Sequence, residues 1–427
     1  MKLSIPNNLP SLLSKREYLW GFIVFCLFFT ALVSSQSGMD FFSGVMFLTA
    51  MYWTIRHRGN SWKWPHIGLL GLFLVWVVDI ALGLTLNPVH GSMWDQLFEF
   101  RWMIDFYVFV LFISVFGQDS RTLKVFSFMM ALASAMAITF YFLGYNPLTE
   151  DISVRAGNLA NFASYRAGGL FDHAMPLAHS YGPLLLVFVG LLLVNRKDLK
   201  KLSAWTYAGV GLMAITVLLT YTRGVWIGAA CGLILMGFFL NRKWGLYILS
   251  GLLVVGLFAF TVSTKVHNRV VETVTMTNQG DQERLTIWKA NWEMVKDHPL
   301  IVIGYSQNKA RLREYYDKAG VAPGYFEGHA HNEYMHFLSG TGFLGLICYL
   351  IFLGYTFRAA ALAYKNSADK ESKGLALGLL GALTCFYVGS LTESNFSIGK
   401  NRHMILFLMA WAVYLHIKSR KNYSSGS

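Results

Sequence analysis

Charged side chains are scarce in this chain: Asp, Glu, Lys and Arg make up 14% of its 427 residues, whereas 55% are hydrophobic. A soluble domain does not need so much apolar surface. Several runs of roughly 18 or more apolar residues suit helices that cross a bilayer. The composition therefore argues against a soluble protein and predicts an all-α polytopic membrane protein.

Cysteine is also rare, and its positions do not have the spacing of metal ligands. Each of the four lies inside an apolar stretch: Cys26, Cys231, Cys348 and Cys385. The sequence contains neither an H-E-x-x-H motif nor cysteines clustered near its histidines. We therefore expect packed thiols, with no metal and no other cofactor.

The order of apolar runs and polar breaks predicts about twelve transmembrane helices. Helices 1–9 fall within residues 1–263, helices 10–12 within 336–417, and a cytoplasmic tail follows at 418–427. The approximate spans are 18–35, 39–55, 67–86, 100–117, 125–143, 176–195, 202–221, 225–240, 245–263, 336–357, 375–391 and 403–417.

The formal net charge of +13 comes largely from short basic loops such as NRKDLKK and NRKW. Because cytoplasmic loops collect Lys and Arg, both termini are predicted to be cytoplasmic, and the charge needs no nucleic acid to explain it. Two long segments then face outward, one near 144–175 and one at 264–335. The second contains RLTIWKANWEMVKDHPL, which has the periodicity of an amphipathic helix.

Two arginines on the outer side are candidates for binding an anion. Arg223 follows Tyr221 in the polar turn TYTRG, where a charge held by neighbouring helices often marks a substrate path. Arg284 precedes Trp288 by one helical turn, and its guanidinium group is able to bind two phosphate oxygens at once. Alternatively, Arg223 reaches the lipid headgroups with its side chain, and Arg284 lies on the solvated face of a helix.

Three histidines cluster in GHAHNEYMHF, where the tenth predicted transmembrane helix begins. His331 suits a general base, with Asn332 and Glu333 as orienting neighbours. His329 and Tyr221 are candidate supporting residues of the site. His329 and His336 are also compatible with packed or surface positions. On a helix, His329 and His331 would point to different faces, which does not favour a shared metal.

A shorter outer loop, SYRAGGLFDHAMPLAHS, adds Arg166 beside glycines that allow either close approach to a ligand or an ordinary turn. Arg101, Glu393 and Arg402 lie at outer helix ends, where they would form ion pairs that fix helix positions; the two arginines are also candidate supporting residues of the site. Together these residues predict a basic pocket for a lipid-anchored anion.

Three segments in order resemble the O-antigen ligase and polymerase superfamily of bacterial envelopes: TYTRG, ERLTIWKANWEMVKDHPLIVIGYSQN and HAHNEYMHFLSGTGFLG. The resemblance covers the central and C-terminal half, extends to RAGGLFDHAMPLA and favours the ligase branch. It implies a membrane-embedded, GT-C-like glycosyltransferase of the bacterial inner membrane with a periplasmic active site.

The resemblance also implies the reaction and its residues. A polysaccharide would pass from undecaprenyl diphosphate to a sugar hydroxyl of the lipid A core, with inversion and without a metal. Arg223 and Arg284 would hold the diphosphate, His331 would be the base, and Arg166 and Arg402 would support them.

Three alternatives stay open from the sequence. An O-antigen polymerase or a protein O-oligosaccharyltransferase would use the same lipid-linked donor with another acceptor. A transporter would need polar groups near the middle of the membrane, and only Asp79 and Asp105 lie within or near apolar spans.

Overall fold

A computed structural model describes residues 9–58, 62–86, 94, 98–117, 119–144, 166–171, 173–195, 203–262, 264–275, 277, 279–299, 304–305, 307–321 and 328–424. A 3₁₀ turn, Glu99–Arg101, precedes the fifth helix. The α-helices are α1 (Leu9–Leu12), α2 (Lys15–Leu32), α3 (Gln36–Arg56), α4 (Leu70–Leu86), α5 (Trp102–Phe116), α6 (Ser120–Leu143), α7 (Ala174–Asn195), α8 (Ala204–Leu219), α9 (Arg223–Leu240), α10 (Arg242–Val262), α11 (Thr264–Thr275), α12 (Gln279–Asp297), α13 (Gln307–Lys318), α14 (Glu333–Asn366), α15 (Lys370–Gly389) and α16 (Gly399–Ser424).

Each predicted span overlaps one of these helices, from α2 to α10 and from α14 to α16. Among the described residues, six helices are long and apolar enough to cross a membrane, namely α6, α7, α9, α10, α14 and α15, and α4 and α8 are shorter apolar helices. The fold is thus that of a helical, polytopic membrane protein, whereas twelve crossings remain a prediction. Helix α16 continues to Ser424, through most of the segment predicted as a tail.

Glycines allow α7 and α9 to pack directly against α15. A Cβ atom on Gly190 of α7 would lie 2.3 Å from the backbone nitrogen of Gly378, and one on Gly228 of α9 would lie 2.5 Å from the carbonyl oxygen of Cys385. Such contact between small residues is a common basis for helix association in membranes. It places the start of α9 beside the end of α15 and the loop that follows.

Helix α14 is broken at Gly342, whose φ of +60° and ψ of −171° are not helical. The interruption is accompanied by hydrogen bonds to the outer segment. The Phe343 N–H donates to the Pro299 carbonyl at 3.1 Å, and the Gly304 N–H donates to the Gly340 carbonyl at 3.2 Å. The first turns of α14 are therefore fastened to the segment between α12 and α13.

The long outer segment contains α11, α12 and α13 and packs onto the bundle. Met294 of α12 and Tyr315 of α13 belong to a small core of their own. The side-chain Nδ2 atom of Asn308 lies 3.2 Å from Asn291 Oδ1 and 2.9 Å from His336 Nδ1. His336 is therefore a buried residue that joins α13 to α14, the packed alternative left open by the sequence.

Candidate active site at one end of the bundle

Arg223 is the first residue of α9 and follows a tight turn. Tyr221 in this turn has a left-handed φ of +49°, and Thr222 precedes the helix. The Arg223 Nη2 atom lies 3.3 Å from Oδ1 and 3.5 Å from Oδ2 of Asp281, at the start of α12. The guanidinium group therefore points at the outer segment, and 30% of its side chain is exposed.

Arg284 faces the same carboxylate from within α12. Its Nη1 atom lies 3.9 Å from Asp281 Oδ1, and 28% of its side chain is exposed. The structure thus brings Arg223 and Arg284 together from separate helices, around the carboxylate of Asp281. Because guanidinium groups bind phosphate oxygens well, an anion that replaced the carboxylate would contact both.

Arg166 supports the turn that leads to Arg223. Its Nε atom donates to the Thr220 carbonyl at 2.6 Å, and its Nη2 atom donates to Thr222 Oγ1 at 2.7 Å. Tyr221, between the two threonines, is 45% exposed. Arg166 is therefore a positioning residue for this turn.

Trp288 connects α12 to the histidine segment. It lies one helical turn after Arg284, and its indole Nε1 atom donates to the Ala330 carbonyl at 2.7 Å. Because Ala330 lies between His329 and His331, this bond holds both histidines beside the helix that carries the arginine.

Glu393, in the loop after α15, contacts both histidines, one with each carboxylate oxygen. Its Oε2 atom lies 3.2 Å from His331 Nδ1, and its Oε1 atom is hydrogen-bonded to His329 Nε2. Burial by itself raises the pKa of the Glu393 carboxyl, but the bonds to both histidines outweigh burial and hold the net pKa well below its usual range. Glu393 therefore remains an anion where histidines titrate, and stabilises a protonated imidazole beside it.

The backbone of His331 is unusual as well. Its φ is +47°, and in the described ranges only Tyr221 shares a positive φ among non-glycine residues. Such conformations cost about 1–3 kcal/mol and cluster at functional sites. With Nδ1 directed to Glu393, the Nε2 atom of His331 is the nitrogen available to a substrate.

Asn332 and Glu333 have other contacts than those expected from the sequence. Asn332 caps α14 by accepting a hydrogen bond from the third residue of the helix at 3.0 Å. Glu333 is buried, and its Oε1 atom accepts from Ser397 Oγ at 2.8 Å. The carboxylate that contacts His331 is therefore Glu393, while Glu333 fastens the loop after α15 to the start of α14.

Arg101 and Arg402 belong to a second charged cluster. Arg101 Nη2 lies 2.5 Å from Asp40 Oδ1, and Arg402 Nη1 lies 3.0 Å from Glu99 Oε2. His403 Nε2 lies 3.6 Å from the same Asp40 oxygen. These contacts join α3, α16 and the turn before α5, in agreement with the ion-pair interpretation of both arginines.

One group of side chains has the geometry of metal ligands. The ligand atoms of His329, His331 and Glu393 lie within 4.8 Å of one another. Two imidazoles and a carboxylate form a ligand set that Zn²⁺ or Fe²⁺ accepts. The hydrogen bonds to Glu393 account for the same grouping without an ion. The sequence did not indicate it, because Glu393 comes from a different polar break.

The fold and this site define the class of protein. It is a helical, polytopic membrane protein with paired arginines and a carboxylate–histidine cluster at one end of its bundle. Residues 208–350, which include Arg223, Arg284 and His331, match the model of the O-antigen ligase family. This match agrees, over this segment, with the resemblance seen in the sequence, and it supports a ligase or polymerase type of glycosyltransferase. Comparison with curated proteins finds no match to the chain.

Proposed function

We propose that the protein is an O-antigen ligase, which transfers a polysaccharide from undecaprenyl diphosphate to a sugar hydroxyl of the lipid A core. The observation that carries the proposal is the convergence of Arg223 and Arg284 on Asp281, one helical turn from the bond that holds the histidine segment. All of these residues lie within the segment that matches the family.

In the donor half of the site, Arg223 and Arg284 bind the diphosphate in place of Asp281. The leaving diphosphate gains negative charge as its bond to the sugar breaks. Two guanidinium groups held by α9 and α12 stabilise that charge, and they do so more strongly in a partly shielded site than in bulk water. This is the role that a metal ion has in other transferases, so the proposed reaction is metal-independent.

In the acceptor half, His331 takes the proton of the acceptor hydroxyl while its oxygen attacks the anomeric carbon. The bond from that carbon to the diphosphate oxygen breaks, and the electron pair leaves with the diphosphate. Attack opposite the leaving group inverts the anomeric centre. Glu393 orients the ring and stabilises the imidazolium, and a general base of this kind contributes roughly 10²–10⁴-fold to the rate.

The proposal includes a topology. Twelve helices of a GT-C-like protein cross the bacterial inner membrane, both termini lie in the cytoplasm, and helices α12 and α13 lie over the periplasmic end. Its support is that the Arg223 turn and α12 meet at the end of the bundle away from the basic loop at Arg242.

The test is transfer by purified protein from lipid-linked glycan to lipid A core, with and without chelator. Arg223→Ala and Arg284→Ala should each lower transfer by roughly 10²-fold or more. His331→Asn should abolish base catalysis, because Asn tolerates the left-handed backbone but accepts no proton near neutral pH. Arg313→Ala, an exposed arginine of α13, is the control and should leave transfer unchanged.

Two outcomes would contradict parts of this mechanism. Full activity of His331→Asn would show that His331 is not the base. Loss of activity on chelation would show that the reaction needs a metal ion, for which the group of His329, His331 and Glu393 is the candidate site. In a deletion strain, loss of long-chain lipopolysaccharide with accumulated lipid-linked polymer indicates the ligase. Capping by single repeats indicates a polymerase, and unglycosylated Ser or Thr in target proteins indicates the protein transferase.

A further inference from the structure

A cavity of about 440 Å³ lies at the opposite end of the bundle from the candidate active site. It opens between the C-terminal parts of α14 and α16 and the segment before α4. Its lining consists of Gly68, Tyr355, Arg358, Leu362, Asn366, His416 and Arg420.

Helical spacing brings the lining residues together. On α14, residues 355, 358, 362 and 366 follow one another at intervals of three or four and therefore share a face. On α16, His416 and Arg420 are one turn apart. The Tyr355 hydroxyl donates to the Ile67 carbonyl at 2.5 Å, which holds the segment before α4 against this face.

The cavity carries positive charge and an unsatisfied nitrogen. Within the described part of the chain, Arg358 and Arg420 are exposed and form no ion pair, and no carboxylate lines the cavity. His416 is only 7% exposed, and its Nδ1 atom is buried with no hydrogen-bond partner among the described residues. Since buried polar atoms are nearly always hydrogen-bonded, this nitrogen in the cavity lining could bond to a polar ligand.

The same face of α14 continues into an apolar stripe towards the middle of the helix. Ile351 lies four residues before Tyr355, and Ile347 lies four residues before Ile351. Their side chains are 51% and 50% exposed, so the stripe is open to the surroundings. A ligand with an anionic head and an apolar chain would match the basic cavity and the stripe at once.

We infer that this cavity binds a phosphate group through Arg358 and Arg420, and that the group belongs to an anionic phospholipid of the cytoplasmic leaflet. The guanidinium forks contact the phosphate oxygens, His416 Nδ1 contributes a further hydrogen bond, and the acyl chains lie along Ile347 and Ile351. The assignment to the cytoplasmic leaflet rests on the proposed topology, whereas binding at this cavity does not depend on the proposed transferase reaction.

Native mass spectrometry of the full-length protein tests this inference, with phosphatidylglycerol and phosphatidylcholine added in equal amounts. The wild type should retain phosphatidylglycerol in preference, and the double variant Arg358→Gln, Arg420→Gln should retain at least about fivefold less. Arg56→Gln with Lys365→Gln is the matched control, because it removes the same charge from exposed residues outside the cavity. The control should behave as the wild type.

Equal retention by the wild type and the cavity variant would overturn the inference, and so would an equal loss in the control variant. A further arm uses inorganic phosphate with the wild type. If millimolar phosphate displaced the lipid completely and raised the Tm as much as phosphatidylglycerol does, a free anion would be the ligand and the lipid assignment would be wrong. His416→Leu should weaken lipid retention although Arg358 and Arg420 remain. This variant separates the contribution of the buried nitrogen to lipid retention from the contribution of the overall charge.

Discussion

A Cβ atom on Gly224 would lie 2.0 Å from the hydroxyl oxygen of Thr392. The residue after Arg223 therefore rests against the residue before Glu393, and no larger side chain fits at Gly224 unless Thr392 moves. This contact sets the separation between the arginine that is proposed to bind the donor and the carboxylate that orients His331. The contact with Thr392 explains why a glycine is needed at this position of the TYTRG motif.

Gly224→Ala should lower transfer roughly 10- to 100-fold, because a displacement of about 1 Å between reacting groups costs that much. Lipopolysaccharide capping, normalised to the amount of protein in the membrane, measures the effect. Adding Thr392→Ala removes the hydroxyl at 2.0 Å and should restore part of the activity. Gly211→Ala is the control, since a Cβ atom there meets nothing within 4 Å. An equal loss in both glycine variants would contradict the packing argument.

Asp281→Asn should lower the KM for the lipid-linked donor about two- to fivefold. The diphosphate has to displace this carboxylate from Arg223 and Arg284, and a partly exposed ion pair contributes about 0.2–1 kcal/mol. Donor titrations with purified protein measure the change. Glu293→Gln, which loses a pair with Lys296 on the same helix, should leave KM unchanged. A higher KM in Asp281→Asn would mean instead that the carboxylate positions the arginines.

Trp288→Phe keeps an aromatic ring but removes the donor to the Ala330 carbonyl. We expect kcat to fall about two- to tenfold with little change in donor KM, since one hydrogen bond contributes about 1 kcal/mol and the arginines are untouched. Trp292→Phe, one turn further on at a 45% exposed position, should have no effect. A change confined to donor KM would argue that Trp288 acts on the donor half.

Glu393→Gln should lower kcat roughly 10²–10⁴-fold, because the amide no longer stabilises the imidazolium of His331. Stability should change with pH as well. The pKa of Glu393 in the folded protein lies below the unfolded value of about 4.3, so its anion stabilises the fold above that pH and loses this effect as the pH falls.

The Tm between pH 5 and pH 3 measures this second effect, because the stabilisation is lost only below the unfolded pKa. The wild type should lose more of its Tm on acidification than Glu393→Gln does. Glu314→Gln, at an exposed pair with Arg311 on α13, controls for the change in charge. Parallel pH profiles for the wild type and Glu393→Gln would show that the carboxylate is not held in its ionised form by the histidines.

Much of the fold follows from local spacing. Apolar runs place helices α2 to α10 and α14 to α16 because a membrane span depends on the residues of the span itself. The break at Gly342 was not predicted. The apolar pattern continues through it, and the backbone groups around it are bonded to a segment about forty residues away.

The residues of the site likewise fall into those that the sequence indicates and those that it does not. Arg223, Arg284 and His331 lie in short motifs that reveal them as candidates. Asp281 is 58 residues from Arg223, and Glu393 is 62 residues from His331. Nothing in the spacing of either acid indicates its partner, and Glu333, two residues after His331 in sequence, was the more natural choice.

The sequence by itself determined which segments are helical and apolar, and which polar residues stand at their ends, because both properties depend on neighbours within a few turns. Only the tertiary structure decided which of those ends meet. The packing of α9 against α15 through glycines carries Arg223 towards Glu393, and the bond from Trp288 to Ala330 brings the histidines to the same place. Pairing between distant helices depends on the shapes of both partners, so no single segment encodes it.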